Sequence, residues 1–252
     1  MTAIAALPFL PEAVIFDMDG LMIDSERVSL ACWSQASREQ ALPFTDDFWL
    51  GMVGLGDRDC EQRLLQHISA DEVAALFARC HDLYEERTQQ GLPLRPGIIE
   101  ILQLLQAHGI PRAVATSTRQ PRASRKLAAT GLLAYFDHLV TSSDVAPPKP
   151  APDIYLLAAQ ELGKDPARCL ALEDSPAGIR AAVSAGMAAI QVPGLVDPDG
   201  ALPALGHPIA VRVDEDRNAV GRRVGFKVSI LGAVTDEKTA LRPSARRLVR
   251  AP

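Results

Sequence analysis

Two carboxylates, Asp17 and Asp19, stand one residue apart, directly after an apolar run at residues 13–16 and before Gly20. An apolar run that stops at a glycine is typical of a buried strand opening into a turn. Two such acids can share a divalent cation and still divide the roles of nucleophile and proton donor. An Asp-x-Asp-Gly sequence taken alone fits a solvated acidic turn equally well. The partners of these acids elsewhere in the chain must decide between the two.

Three further apolar runs end in polar residues of complementary type. Thr116 and Ser117 offer hydroxyl and N–H groups that suit phosphate oxygens, although Ser/Thr clusters also cap helices. Lys149 lies in a proline-rich segment that restricts the backbone, although a single lysine there is more commonly a surface charge. Glu173 and Asp174 form an acidic pair before a helix, where a simple N-cap is the alternative role. Each signal is weak when taken alone.

The elements that must position these residues alternate between strands and helices. Short apolar runs near residues 13–16, 113–115, 138–140, 169–172 and 188–192 predict five strands, and helical patterns separate the last four. This rhythm is typical of βα units, so we expect an α/β fold with a parallel sheet. Parallel strands bring their carboxyl ends to one edge, where ligands bind. The polar groups would then meet as a carboxylate nucleophile, a magnesium site and fixed positive charges, which phosphoryl transfer requires.

Residues 25–92 differ from the rest because helical periodicity occurs there without a convincing strand. An apolar stripe from Val73 to Tyr84 predicts one long amphipathic helix. We expect this segment to be a helical cap over the strand ends, with hinges near Asp24 and Pro93. The α/β core would then comprise residues 1–24 and 93–210. Residues 211–252 lose this order, and we expect an irregular tail rather than a basic arm for nucleic acid, because aromatic residues are not interleaved.

Composition narrows the class of protein. The chain has 252 residues, a net charge of −5 and 48% hydrophobic residues, so we expect a globular protein without a general attraction for nucleic acid or anionic membranes. The first eleven residues carry no basic residue and are broken by prolines, which argues against a signal peptide or membrane span. The four scattered cysteines predict buried, reduced thiols rather than a zinc site or disulfides. We therefore expect a cytoplasmic protein, and a monomer.

Together the motifs resemble those of the haloacid dehalogenase superfamily, in its phosphatase and phosphomutase branch, over residues 12–193. The matching segments are DMDGL at 17–21, TS at 116–117, KPAPD at 149–153 and EDSPAGI at 173–179, in the family's order and rough spacing. The resemblance implies a Rossmann-like parallel-sheet core with a small helical cap inserted after the first strand.

The resemblance also implies a role for each polar residue. Asp17 looks like the nucleophile that takes the phosphoryl group as an aspartyl-phosphate, and Asp19 looks like the acid/base that protonates the leaving alkoxide and then activates water. Thr116 and Ser117 would hold phosphate oxygens, and Lys149 would offset the charge of the transferring group.

Mg²⁺ is the cofactor that the resemblance implies. Its ligands would be the Asp17 carboxylate, the Asp19 backbone carbonyl and Asp174, with Glu173 acting through water. The partner would be a small phosphate ester, with neither nucleic acid nor a membrane involved.

Within the family, the sequence favours a phosphatase that acts on a sugar or polyol phosphate. A β-phosphoglucomutase is the alternative, but the position of that enzyme's cap histidine is Ser29 here and the cap contains no lysine to hold a second phosphate. A catalytically idle binding protein on the same scaffold is an alternative of another class. Glu26, Trp33 and Arg58 are the cap residues that we expect to contribute to specificity, although Glu26 equally suits the N-terminus of a helix and a tryptophan such as Trp33 more commonly packs in a core.

Overall fold

The computed structural model describes residues 9–53 and 55–192 of the chain. The predicted tail, residues 211–252, and the last part of the predicted core lie outside the described residues. Within the described part, the predicted α/β fold is confirmed.

Five parallel strands form one sheet with the order β3-β2-β1-β4-β5. The strands are β1 (Ala13–Phe16), β2 (Arg112–Thr116), β3 (His138–Thr141), β4 (Cys169–Glu173) and β5 (Ala188–Gln191). Every residue of β1, β2 and β4 is buried. Strands of a parallel sheet that is covered on both faces read as continuous apolar runs, which is why the sequence predicts them well.

Helices follow the strands in chain order. Four helices come directly after β1 in the chain: α1 (Ser25–Glu39), α2 (Asp46–Leu50), α3 (Asp57–Leu64) and α4 (Ala70–Gln90). The others connect the strands: α5 (Ile98–Ala107), α6 (Arg122–Ala129), α7 (Asp153–Glu161) and α8 (Pro176–Ser184).

The central strand β1 packs into a different cluster on each face. Val14 and Phe16 belong to a core that includes buried residues of α5 and α6. Ala13 and Ile15 belong to a second core with buried residues of α7 and α8. Alternating side chains of one strand therefore hold a helical layer on each face of the sheet.

The helices α1 to α4 join the sheet through two chain segments that run side by side. The Asp24 N–H donates to the Pro93 carbonyl at 2.9 Å, and the Arg95 N–H donates to the Met22 carbonyl at 2.9 Å. Ile23 and Leu94 form an antiparallel bridge between these bonds. The chain therefore leaves the core and returns to it at one place, close to the end of β1.

Helix α4 begins at a capping box in which Ser69 and Glu72 bond each other's backbone N–H groups. Its predicted apolar stripe is buried apart from the half-buried Phe77, and the helix packs on α1. The four cysteines are reduced thiols, and all are buried, as predicted. Within the described ranges, the helices are all too short or too polar to cross a membrane.

Candidate active site

The turn after β1 sets the positions of the two aspartates. The Asp17 N–H still bonds the Leu172 carbonyl of β4, at 2.9 Å, so this residue continues the sheet. Gly20 then adopts φ +83°, a left-handed conformation that favours glycine. A Cβ at Gly20 would lie 1.8 Å from the Asp174 Oδ2 atom. The missing side chain at Gly20 therefore lets the first turn approach the acidic end of β4.

Lys149 joins the ends of three strands. Its Nζ donates to the Asp17 Oδ1 atom at 2.7 Å, to the Glu173 Oε1 atom at 2.6 Å and to the Ala115 carbonyl at 2.9 Å. The Lys149 side chain is only 5% exposed. The flanking prolines limit the backbone of this segment and direct the ammonium inward. The surface-charge alternative for Lys149 is therefore wrong.

Glu173 is completely buried and holds its surroundings together. Its Oε1 atom also accepts from the Tyr155 hydroxyl at 3.0 Å. Its Oε2 atom accepts from the N–H and the hydroxyl of Ser175, at 2.9 and 3.0 Å. Since both carboxylate oxygens already accept two hydrogen bonds, Glu173 is better suited to positioning Lys149 and Ser175 than to direct metal ligation.

Burial and crowded carboxylates raise the proton affinity of this end of the site. Burial raises the pKa of Asp17 to about 7, Lys149 opposes that shift, and the charges of Glu173 and Asp19 add to it. Burial also raises the pKa of Asp174 well above its usual value, with further repulsion from Asp17 and Glu173. Burial alone would lower the Lys149 pKa, but the neighbouring acids hold it well above its usual value. Lys149 is therefore a fixed cation.

Asp19 has a separate set of partners. Lys126 Nζ donates to its Oδ1 atom at 2.7 Å, and the Thr118 hydroxyl donates to its Oδ2 atom at 2.6 Å. Burial raises the pKa of Asp19, but the charge and hydrogen bond of Lys126 and the bonds from Thr118 and Ser25 outweigh it, so the net pKa is lowered. The pKa values of the two aspartates are therefore shifted in opposite directions, which suits different roles.

Asp17, Glu173 and Asp174 form an acidic cluster that can hold a metal ion, in which Glu173 supports the site through its neighbours because its own oxygens already accept hydrogen bonds. Each offers a carboxylate oxygen, and these oxygens lie within 4.8 Å of one another. Oxygen donors are what Mg²⁺ prefers, and a divalent cation would favour the ionised forms of Asp17 and Asp174, which burial and, to a lesser degree, mutual repulsion disfavour. The predicted Mg²⁺ ligands therefore fit the ion chemically.

Thr116 and Ser117, the predicted phosphate-binding residues, form hydrogen bonds with residues of the turns after β2 and β3. Thr116 is buried, and its hydroxyl accepts from the Thr118 N–H at 3.1 Å. Ser117 is exposed, and its carbonyl accepts from the Ser142 hydroxyl at 2.7 Å. In this structure the Thr116 hydroxyl therefore shapes the turn after β2.

The sequence analysis predicts neither Thr118 nor Lys126 as a partner of Asp19, although each carries a signal. Thr118 follows β2 in the same hydroxyl cluster as Thr116. Lys126 lies on α6 with Ala123 and Leu127, at the spacing of a buried stripe, and all three are buried. A lysine within an apolar stripe indicates a buried charge with a partner. Here that partner is Asp19.

Two of the three predicted specificity residues line the cavity that reaches Asp19. Glu26 and Trp33 of α1 line a cavity that also contacts Asp19. Arg58 is exposed and is not among the described residues that line this cavity. The structure therefore brings Glu26 and Trp33 to the site and leaves Arg58 outside it.

The chain is similar to known hydrolases and phosphatases. A family model described as haloacid dehalogenase-like hydrolase matches residues 11–186, which contain all the site residues above. A phosphorylated carbohydrates phosphatase of Thermotoga maritima is 33% identical over 177 residues, which cover 70% of this chain and 82% of that protein. A fructose-1-phosphate phosphatase of Escherichia coli is 33% identical over 184 residues, which cover 71% and 95%.

The fold has solved counterparts. One is the crystal structure of a Thermotoga maritima protein described as a β-phosphoglucomutase, which matches with a TM-score of 0.70 and 31% identity. The match covers 79% of this chain and 94% of that one.

Proposed function

This chain belongs to the haloacid dehalogenase-like hydrolases, and we propose that it is a Mg²⁺-dependent phosphomonoesterase that hydrolyses a sugar or polyol phosphate with Asp17 as nucleophile. Relatives named as phosphatases of phosphorylated carbohydrates and of fructose 1-phosphate support the reaction class. One structural observation carries the proposal: a single strand end presents two carboxylates, of which Asp17 is paired with Lys149 and Asp19 with Lys126.

In the first step the Asp17 carboxylate attacks phosphorus and the bond to the substrate's alkoxide breaks. Lys149, 2.7 Å from Asp17, offsets the negative charge of the transferring group. The alkoxide takes a proton from Asp19. Since Lys126 favours the ionised form of Asp19, this step requires the pair to open so that Asp19 can carry a proton.

In the second step Asp19, again a carboxylate, accepts a proton from water while that water attacks phosphorus. The bond from phosphorus to the Asp17 oxygen breaks, and inorganic phosphate leaves. The Lys126 and Thr118 contacts favour the ionised form of Asp19 that this step needs. The same residue therefore serves as acid and then as base.

Mg²⁺, held by Asp17, Asp174 and the Asp19 backbone carbonyl with Glu173 supporting the site, would neutralise charge on the phosphoryl oxygens. We further propose that residues 25–92 act as a cap hinged at the paired segments around Asp24 and Pro93. Tyr84 of α4 lies under Lys126, with the Nζ 4.9 Å from the ring centroid. Movement of the cap would thus change the surroundings of the Lys126–Asp19 pair.

The mutase alternative has structural support that the sequence did not reveal. The cap lacks a lysine, but Lys126 and Arg122 of the core helix α6 line the cavity and supply positive charge there. Lys126 is paired with Asp19 and Arg122 with Glu85, at 2.7 and 3.0 Å. Because both cations already have acidic partners, we favour water over a second sugar hydroxyl as the acceptor of the phosphoryl group. Incubation with β-glucose 1-phosphate decides this: the proposal predicts glucose and phosphate, and accumulation of glucose 6-phosphate would identify a mutase.

Release of phosphate from p-nitrophenyl phosphate and fructose 1-phosphate, measured with and without Mg²⁺, tests the proposal. We expect Mg²⁺-dependent turnover by the wild type and its loss in Asp17→Asn. Asp71→Asn removes an exposed carboxylate of α4 and should keep full activity. Equal turnover by wild type and Asp17→Asn would refute the phosphatase mechanism, and no turnover by either would favour an idle binding protein.

A further inference from the structure

A cavity of about 640 Å³ extends from Asp19 into the cap. The core contributes polar residues to it, among them Asp19, Thr118 and Lys126. The helices α1 and α4 contribute residues whose character changes along each helix. The change from polar to apolar lining along these helices indicates which kind of organic group the substrate carries.

On α1, the cavity contacts Glu26 near the hinge and Trp33 further along the helix. These residues are seven positions apart, which is two helical turns on one face and about 10 Å of rise. Ser29 and then Leu30 line the cavity between them. The wall formed by α1 is therefore polar next to the core and apolar about 10 Å away.

The wall formed by α4 changes in the same way but in the opposite chain direction. Tyr84 lies next to the core, against Lys126, Phe77 lies seven residues earlier, and Cys80 and His81 line the cavity between them. The Phe77 ring packs edge-on against Trp33, with centroids 4.8 Å apart, and Trp49 stacks on Trp33 at 5.6 Å. Both helices thus place aromatic rings at the far end of the cavity.

The chemistry of the far end discriminates between ligands. The half-buried side chains of Leu30, Trp33 and Phe77 are apolar there apart from the indole N–H, and Trp49 and Met52 also line the cavity although they are almost fully buried. Burying apolar surface there is favourable at about 25 cal/mol per Å². A sugar hydroxyl placed among these side chains would lose its bonds to water with few replacements. An unsubstituted hexose or hexitol phosphate therefore suits only the polar half of the cavity.

We propose that the substrate is a sugar or polyol phosphate that carries an aryl or branched alkyl group, and that this group binds at the Trp33 end. The polar middle of such a molecule would lie beside Glu26 and Ser29, with its phosphate at Asp17. This proposal rests on the proposed phosphatase function and adds the class of the leaving alcohol.

Glucoside 6-phosphates test the proposal because the scissile bond is the same whatever the aglycone. We expect kcat/KM for phenyl glucoside 6-phosphate to exceed that for methyl glucoside 6-phosphate by at least about tenfold, mainly through a lower KM. Equal values for the two esters would overturn the inference and leave the phosphatase function standing. Failure of both esters and of p-nitrophenyl phosphate to react would overturn the function and the inference together.

Variants of the cavity wall test where the phenyl group binds. Trp33→Ala should reduce the phenyl-to-methyl ratio to below about threefold, and Trp33→Phe should keep most of it. Leu65→Ala alters an exposed cap leucine, 46% exposed and outside the cavity lining, and should keep the wild-type ratio. An unchanged ratio in folded Trp33→Ala would place the apolar group elsewhere and contradict the proposal. The comparison of esters with the wild type stands even if Trp33→Ala does not fold.

Discussion

Replacing Lys149 by methionine should destabilise the protein and abolish most of its activity. Lys149 is 5% exposed and donates to Asp17, Glu173 and the Ala115 carbonyl at 2.6 to 2.9 Å. Methionine fills much of the same volume but leaves the Glu173 carboxylate, which is 0% exposed, without its cation. Breaking a buried ion pair by removing one partner costs about 3–5 kcal/mol. We expect a loss of that size in the free energy of unfolding at pH 8.

The double variant Lys149→Met/Glu173→Gln separates stability from chemistry. A neutral amide at position 173 removes the unpaired buried charge, so we expect the double variant to recover at least about half of the lost stability. Activity should stay roughly 10²- to 10³-fold below wild type in both variants, because the cation beside Asp17 is still missing.

Urea unfolding without metal, together with kcat/KM for p-nitrophenyl phosphate, measures both effects. Lys164→Met, at a lysine that is only partly buried, is the matched control and should change the unfolding free energy by less than about 0.5 kcal/mol. A Lys149→Met protein within about 1 kcal/mol of wild type would refute the argument. So would a double variant less stable than the single one.

Three further predictions concern neighbouring groups. Gly20→Ala should weaken Mg²⁺ binding by about tenfold or more, seen by titration, because the new Cβ collides with Asp174 at a positive φ. Lys126→Met should slow the hydrolysis of phosphorylated Asp17, so that kcat for p-nitrophenyl phosphate falls at least about tenfold, because Asp19 loses the cation that favours its ionised, basic form, and Lys126→Arg should restore part of it. Because Asp17 has a raised pKa of about 7 in the fold against an ordinary 3.8, the folded state binds more protons than the unfolded state between these values. The metal-free protein should therefore lose stability as pH rises from about 4 to about 7, and Mg²⁺ should raise Tm more at pH 8 than at pH 5.

The sheet could be predicted from sequence because its strands are buried on both faces. Strand β1 must be apolar at Ala13 through Phe16, since consecutive residues pack into different cores. The polar residues that end such runs stand out for the same reason. The sequence therefore predicts Asp17, Lys149, Glu173 and Asp174 as one group.

The contacts between helices and the site could not be predicted in the same way. Lys126 lies on α6, more than a hundred residues from Asp19 in the chain, and its role depends on how α6 packs beside β1. The sequence also does not show that Glu173 positions its neighbours, because one of its partners, Tyr155, reaches it from α7. Arg58 is predicted from the glycines that precede it, whereas in the structure it lies on α3 with an exposed side chain, and the local sequence does not give the direction in which that helix packs.

Direct detection of the phosphorylated residue tests the central claim. Wild-type protein would be mixed with Mg²⁺ and a phosphate ester, quenched in acid and reduced with borohydride, which converts an aspartyl-phosphate into a homoserine side chain that peptide mass spectrometry can locate. We predict this modification at Asp17, dependent on substrate and Mg²⁺, and its absence in Asp17→Asn. Turnover with no modification, or with modification at another residue, would contradict the assignment of Asp17 as the nucleophile.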